Sequence, residues 1–257
     1  MPESTPIADK DYVGTLARGL SVIRVFGKKT PELTLSDVAK QAGLTRAAAR
    51  RFLLTLCELG YMTTDGKYFR LTPKVMDLGF AYLSSMDLWE IAMPYMEEVS
   101  HTLNESCSAS VLDDCDIVYV ARVPASRVMS VGLTVGTRLP AFCTSMGRVL
   151  LADKPDDEIR DYVSKTELRR YTRHTILNPG ALIDQILTAR QRGFSIVDQE
   201  LEEGLRSLAV PLRNKKGNVI AAMNVSGHAQ RTSAGDMIQN FLPVLQSAAR
   251  RIASALP

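Results

Sequence analysis

The chain has 257 residues, which is long for one compact domain and comfortable for two. Hydrophobic residues make up 46% and charged residues 23% of the sequence, as in ordinary globular proteins, so a disordered or fibrous chain is excluded. There is no run of about 18 apolar residues and no signal peptide, so we expect a cytoplasmic protein without membrane partners.

The net charge of +3 is unevenly distributed along the chain. Residues 1–75 carry 12 Lys/Arg against 7 Asp/Glu, whereas residues 76–257 carry 19 against 21. A small basic part joined to a larger, slightly acidic part fits a nucleic-acid-binding arm on a body with another task.

Cysteine and histidine spacing argues against metal or disulfide chemistry. No CxxC pair occurs among Cys57, Cys107, Cys115 and Cys143. The three histidines do not cluster with the cysteines along the sequence. We therefore expect buried, reduced thiols, no metal site and no cofactor.

The first strong pattern is a pair of short helices, which follows a polar, Pro-containing lead-in. Ser36 is the expected N-cap of a helix over residues 37–42, and Gly43 is suited to a sharp turn. Thr45 can cap a second helix running to about Leu59, which Gly60 ends. Two helices joined by such a turn predict a helix-turn-helix.

The second helix and the segment after it carry the features of a DNA-reading unit. Asp65-Gly66 between two β-prone runs predicts a two-residue hairpin, which directly after a recognition helix would be a wing. Arginine at the start of a recognition helix pairs with guanine or clamps phosphates, and small residues allow close approach to the groove. The expected DNA-binding residues are Ser36, Thr45, Arg46, Ala47, Arg50, Arg51, Lys67 and Arg70.

The segment that joins the two parts is apolar and helical in pattern. Residues 74–86 continue after Thr72-Pro73 and read either as a core helix or as a linker helix with dimer contacts. Beyond Asn104, strand patterns joined by hairpin turns alternate with helical segments that begin near Cys143, Pro155, Leu182 and Gly235. This mixture predicts an α+β fold with an antiparallel sheet flanked by helices.

Short blocks of residues in both parts of the chain resemble the IclR family of bacterial regulators. In the N-terminal part they are Leu35–Ala39, Gly43-Leu44, Arg51–Leu53 and Gly60-Tyr61. In the C-terminal part they are Gly136–Pro140, Thr144–Ala152 and Gly193–Pro211. The resemblance covers about residues 15–256.

The resemblance implies a winged helix-turn-helix followed by a GAF-like effector-binding domain. The expected organisation is a flexible lead-in at 1–11, a DNA-binding domain at 12–73, a linker helix at 74–86 and an effector-binding and oligomerisation domain at 87–257. Implied partners are a palindromic double-stranded operator and a second copy of the chain, with dimers often pairing into tetramers. RNA polymerase is a further candidate partner.

The details are most similar to the family branch that controls aromatic-acid breakdown, such as the β-ketoadipate pathway. The implied effector is a small carboxylate, with the start of the helix near Ser145 offering free N–H groups to the anion. The family's pocket corresponds here to Val128, Val131, Leu139, Ser145, Met146, Asp198, Ser207, Asn224 and Ser226.

Other functions remain as alternatives. The effector can instead be a non-aromatic carboxylate of the glyoxylate or sugar-acid type, or the C-terminal part can serve only for oligomerisation. An enzyme would need a nucleophile such as Cys143 or Cys107 with His101 or His174, and no motif surrounds them. We expect that the protein is not an enzyme.

Overall fold

A computed structural model describes residues 11–27, 29–84, 88–125 and 133–256 of the chain. The chain divides into two compact units, Met1–Ser85 and Met86–Pro257. Two of the expected pocket residues, Val128 and Val131, lie outside the described residues.

The first unit is a small helical domain with a three-stranded sheet. Its elements are α1 (Gly14–Arg24), β1 (Glu32–Thr34), α2 (Leu35–Gln41), α3 (Arg46–Glu58), β2 (Met62–Thr64), β3 (Tyr68–Leu71), a 3-10 turn (Pro73–Val75) and α4 (Met76–Ser84). The strands are antiparallel in the order β1-β3-β2. Val22, Val38, Ala49 and Leu53 are fully buried in its core, which confirms the predicted helix-turn-helix with a hairpin behind it.

The start of α2 differs from the prediction, because Thr34 and not Ser36 is the N-cap. The Thr34 hydroxyl accepts from the Asp37 N–H at 3.3 Å, and the Asp37 carboxylate accepts from the Thr34 N–H at 3.1 Å. The Thr34 hydroxyl also donates to the Asp37 carboxylate at 2.6 Å, and this bond and the one from the Thr34 N–H hold the pKa of Asp37 below its usual value. Such a reciprocal capping box needs an acceptor three residues after the cap, where Ser36 would have Ala39.

The hairpin after α3 also differs from the prediction. The register pairs Thr64 with Phe69, and the Asp65 N–H donates to the Tyr68 carbonyl at 3.3 Å, so the two residues at the tip are Gly66 and Lys67 and not Asp65 and Gly66. The Asp65 carboxylate accepts from the N–H groups of Lys67 and Tyr68 at 2.9 and 2.8 Å, so it stabilises this turn. Strand β1, which pairs with β3, was not predicted because three residues are too few to show an alternating pattern.

The second unit contains a six-stranded antiparallel sheet with helices packed on it. Its elements are α5 (Leu88–Leu103), β4 (Ser106–Asp113), β5 (Asp116–Val123), β6 (Arg138–Pro140), a 3-10 turn (Ala141–Cys143), α6 (Ser145–Ala152), α7 (Asp156–Lys165), α8 (Pro179–Arg192), β7 (Ser195–Asp198), β8 (Leu205–Arg213), β9 (Val219–His228), α9 (Ala234–Asp236), a π-helical segment (Met237–Phe241) and α10 (Leu242–Ala255). The strand order is β6-β5-β4-β9-β8-β7, with every pair antiparallel.

Helices α6, α7 and α8 share one buried cluster with Ile117, Tyr119 and Ala209 of the sheet. Helices α5 and α10 contact each other and the strands. The arrangement confirms the predicted α+β fold, with an antiparallel sheet and flanking helices. Within the described ranges, no helix combines the length and hydropathy needed to cross a bilayer.

Candidate functional site

The exposed end of α3 is the first candidate site. Gly43 lies in the left-handed region at φ +65°, which allows the sharp turn between α2 and α3. Thr45 caps α3, because its hydroxyl accepts from the Ala48 N–H at 3.2 Å. The cap and the turn together leave the first turn of α3 open to solvent.

Three arginines give this end of α3 its charge. Arg46, Arg50 and Arg51 are exposed, and none has an ion-pair partner among the described residues. Arg46 and Arg50 are four residues apart and therefore lie on one face of the helix. The exposed Ala47 adds little bulk there. A helix end with free guanidinium groups and small neighbours can enter a major groove and bind base edges or phosphates.

The other predicted DNA-binding residues have different surroundings. Ser36 is exposed in the first turn of α2. Lys67 is at the wing tip, with its ammonium 5.0 Å from the centre of the Tyr68 ring. Arg70 is bound by Glu32 at 2.7 Å and by Asp65 at 3.4 Å. Because two carboxylates already balance its charge, Arg70 is less available to a phosphate than the arginines of α3.

The second candidate site is a cavity of about 180 Å³ in the second unit. That is the order of size of an apolar cavity that accepts one benzene ring. Its walls come from the sheet, from α6 and from the loop between β7 and β8. The lining residues are Ser106, Tyr119, Arg122, Leu133, Leu139, Cys143, Thr144, Ser145, Met146, Val197, Glu200, Leu201, Glu202, Leu205, Ser207, Asn224 and Ser226.

Six predicted effector-binding residues lie in this lining: Leu139, Ser145, Met146, Ser207, Asn224 and Ser226. Asp198 does not. Its carboxylate accepts from the Arg206 guanidinium at 2.8 Å, which lowers the pKa of Asp198. Val197 and Ser207 line the cavity, so alternation along β7 and β8 directs Asp198 and Arg206 to the other face of the sheet.

The start of α6 forms one end of the cavity. Thr144 caps the helix, since its hydroxyl accepts from the Gly147 N–H at 3.2 Å. The Ser145 hydroxyl is buried and has no partner among the described residues. Ser110 donates to the Met146 sulfur at 3.2 Å and ties the same end to β4. The first N–H groups of a helix have no partner within the helix, so this end favours a polar or anionic group.

Strands β4, β5 and β9 form the other polar part of the cavity wall. Arg122 donates to the Ser108 hydroxyl at 3.1 Å, and Asn224 donates to the Ser226 hydroxyl at 3.1 Å. Ser108 and Asn224 face each other across β4 and β9. Arg122 was not predicted, and it adds a full positive charge to a wall that otherwise offers neutral donors.

A buried ion pair shapes the loop between β7 and β8. Arg148 is 1% exposed and donates to the Glu200 carboxylate at 2.6 Å and to the Phe142 carbonyl at 3.1 Å. Thr172 and Thr175 donate to the Glu200 carbonyl at 3.3 and 2.7 Å. Because these bonds satisfy Glu200, its carboxylate is part of the framework and is not free to bind a ligand.

The cysteines give no support to the enzyme alternative. Burial raises the pKa of Cys107 and raises that of Cys143 to about 12, with the Glu200 carboxylate contributing at Cys143. His101 and His174 are exposed, and no hydrogen bond joins either to a thiol in the described part of the chain. The same ranges hold no group of three His, Cys, Asp or Glu residues that is suited to a metal ion.

Two family models match the chain. The IclR helix-turn-helix domain matches residues 15–66, and the bacterial transcriptional regulator IclR C-terminal domain matches residues 80–254. They cover the exposed end of α3 and the cavity lining, whereas Lys67 and Arg70 lie between the two matched ranges.

Individual proteins are similar over nearly the whole chain. The Pca regulon regulatory protein of Pseudomonas putida is 44% identical over 96% of this chain and 86% of its own length. A transcriptional regulator structure from Rhodococcus is 52% identical with a TM-score of 0.84, over 95% of this chain and 98% of its own. An IclR homologue from Microbacterium hydrocarbonoxydans, solved with 4-hydroxybenzoate, is 25% identical with a TM-score of 0.82, over 93% and 98% of the two chains.

Proposed function

Because this chain belongs to the IclR family of bacterial transcriptional regulators, we propose that α3 and the wing bind its operator while the cavity binds a controlling carboxylate. The carboxylate comes from aromatic-acid breakdown. The DNA contacts come from the α3 end, from Ser36 and Lys67, and to a lesser extent from Arg70. The residues of the α3 end are Thr45, Arg46, Ala47, Arg50 and Arg51.

The cavity carries the effector part of the proposal. It is lined by Leu133, Leu139 and Leu205, and it also holds the buried hydroxyl of Ser145, which has no partner within the described part of the chain. A buried polar group without a partner costs roughly 1–3 kcal/mol, which a ligand with a matching polar group would recover. A cavity with apolar walls and few polar groups is suited to a small ring or chain that carries a carboxylate.

The relatives support the aromatic-acid class. One is named for the Pca regulon and another was solved with 4-hydroxybenzoate bound. Leu139 and Met146 are in the cavity lining, where they would offer apolar contacts to such a ring.

The operator is a palindrome read by a homodimer, with tetramers as dimers of dimers and RNA polymerase as a further partner in the cytoplasm. Support for a dimer comes from the apolar residues at the start of the first unit. Tyr12, Val13 and Leu16 are about 60% exposed, at 59%, 64% and 62%. Apolar residues so exposed are suited to cover by a second copy. The protein has no catalytic role.

A thermal-shift screen tests the effector proposal. The panel comprises 4-hydroxybenzoate, protocatechuate and β-ketoadipate, with glyoxylate and gluconate as the non-aromatic alternatives. A ligand at 100 times its dissociation constant should stabilise the protein by about 2.7 kcal/mol. Stabilisation by glyoxylate or gluconate alone would refute the aromatic-acid class. If no compound shifts the melting point, the second unit serves for oligomerisation.

A further inference from the structure

Arg122 is the one cationic side chain in the cavity lining within the described residues. Its guanidinium donates to the Ser108 hydroxyl at 3.1 Å, and no carboxylate pairs with it in the described ranges. Neighbouring carboxylates do not fill that role. Glu200 is bound by Arg148, and Glu202 is exposed.

A β-bulge directs Arg122 into the cavity. On β4, Ser108 and Ser110 are two residues apart and share a face. Their partners on β5, Arg122 and Tyr119, are three residues apart, because the register shifts beside Ala109. The extra residue lets Tyr119 and Arg122 both line the cavity, which regular alternation would forbid.

We propose that Arg122 holds the carboxylate of the effector, and that the opposite polar end of the effector lies at Ser145. This orientation rests on the proposed function only in requiring that a carboxylate binds the cavity. It reverses the expectation that the start of α6 receives the anion.

The relative strengths of the two ends decide the orientation. A guanidinium carries a full charge and can donate two parallel bonds to one carboxylate. A helix start carries roughly half a charge and loses its effect within about one turn. Arg122 uses one terminal nitrogen for Ser108, so its other N–H groups are available to a carboxylate. The stronger site takes the charged end.

The Ser145 end is suited to the second polar group. The Ser145 hydroxyl can both donate and accept, so it matches a phenolic hydroxyl or a second carboxylate. Burial raises the pKa of Tyr119 to about 12, so its phenol stays neutral beside Arg122. Arg122 and the start of α6 are each tied to β4, Arg122 through Ser108 and α6 through the bond from Ser110 to the Met146 sulfur, and these two serines are about 7 Å apart along the strand.

The test pairs acids with their uncharged amides. Calorimetry measures the binding of 4-hydroxybenzoate, 4-hydroxybenzamide, adipate and adipamide to three proteins: wild type, Arg122→Gln and Ser145→Ala. The binding of benzoate to the same proteins is measured as well. We expect Arg122→Gln to weaken acid binding on the order of 10- to 100-fold and to leave amide binding nearly unchanged. Ser145→Ala should weaken 4-hydroxybenzoate more than benzoate. Arg122→Lys, which keeps the charge without the planar fork, should restore part of the acid affinity.

Arg138→Gln is the matched control, since Arg138 lies outside the cavity lining and pairs with Asp113 and Asp116 on the surface. The proposed orientation is overturned if Arg122→Gln weakens the binding of acid and amide equally, or if it leaves acid binding unchanged. So does a result in which Ser145→Ala, and not Arg122→Gln, removes the preference for acids. Wild-type protein that binds neither acid contradicts the proposed function for these ligands as well as the orientation, whereas acid binding that Arg122→Gln leaves intact contradicts the orientation alone.

Discussion

Arg50 is the residue on which the DNA-binding proposal is most sharply tested. It is exposed on the face of α3 that also presents Arg46, and no ion pair in the described ranges engages it. Arg50→Ala should weaken operator binding by roughly 1–3 kcal/mol if Arg50 contacts a base. Fluorescence anisotropy with a labelled operator fragment measures the loss.

Substitutions of two other arginines serve as comparisons for Arg50→Ala. Arg70→Ala should cost less than Arg50→Ala, because Glu32 and Asp65 already balance the charge of Arg70. Arg192→Ala, an exposed change in the second unit, should leave affinity unaltered. If Arg50 contacts only phosphate, the loss is uniform across DNA sequences and the salt dependence falls by about one charge. Unchanged affinity in Arg50→Ala removes it from the interface.

Single residues also show where sequence reasoning reaches its limit. Ser145 and Asn224 could be placed near a cavity from the family resemblance. Arg122 could not be placed there from the pattern, because counting alternate residues from Tyr119 assigns it to the opposite face of β5. The bulge that reverses this assignment depends on pairing with β4, which is far less visible in the sequence than the strand itself.

At the scale of elements, α6 depends on the absence of a side chain at Gly147. A Cβ at this position would overlap the backbone of Ala141, including its carbonyl oxygen. Alanine favours a helix over glycine by roughly 1 kcal/mol, but backbone atoms cannot move aside as a flexible side chain can. Gly147→Ala should therefore destabilise the second unit by about 1–3 kcal/mol. Urea unfolding followed by the fluorescence of Trp89, the single and buried tryptophan, measures the change.

Gly235→Ala is the control for that substitution. A Cβ at Gly235, in α9 of the same unit, would meet the Ser233 hydroxyl oxygen at 3.6 Å, an ordinary contact distance. Its stability should be unchanged or slightly higher. Equal stability of Gly147→Ala and wild type would show that α6 can move away from the 3-10 turn before it.

The helices and hairpins could be predicted from local sequence signals, whereas their exact ends depend on contacts with residues elsewhere in the fold. Gly193 at φ +72° ends α8 as glycine does in isolated helices, so this end could be predicted. The expected helix at Cys143 begins instead at Ser145, because residues 141–143 form a separate 3-10 turn and Thr144 caps α6. Strand β6 exists through its pairing with β5, and three residues carry too little pattern to show it.

The Arg148–Glu200 pair explains why α6 and the loop between β7 and β8 act together as walls of one cavity. Both side chains are nearly fully buried, and each is satisfied by further bonds to backbone. Loss of one partner from a buried pair leaves an uncompensated charge, which is far costlier than the pair itself. A movement of α6 on ligand binding would therefore be coupled to the loop between β7 and β8.

At the scale of the whole molecule, charge and chemistry are divided between the two units. The first unit holds the free arginines of α3, and the second holds the enclosed cavity with Arg122 inside it. Among the described residues the two candidate sites have no member in common, so we expect substitutions to change DNA affinity and ligand affinity separately. A ligand can control DNA binding only if it binds two arrangements of the protein with different affinity.

Asn224 tests this separation. It is 4% exposed, lines the cavity and donates to Ser226 at 3.1 Å, opposite Ser108 on the neighbouring strand. Asn224→Leu keeps similar volume but removes the amide, so a polar group of the ligand would lose its partner at a cost of roughly 1–3 kcal/mol. We expect the response of operator binding to 4-hydroxybenzoate to disappear while operator affinity without ligand stays at the wild-type value.

Anisotropy titrations of one operator fragment, with and without 4-hydroxybenzoate, measure both properties on the same sample. A melting point within a few degrees of wild type shows that the leucine is accommodated, and Asn224→Ala provides a second variant if it is not. Loss of operator affinity in a variant that remains folded would mean that the cavity wall itself sets the DNA-binding state. In that case the two units would be energetically coupled although their candidate sites differ in residues. The ligand would then change operator affinity through the cavity wall, as the substitution does.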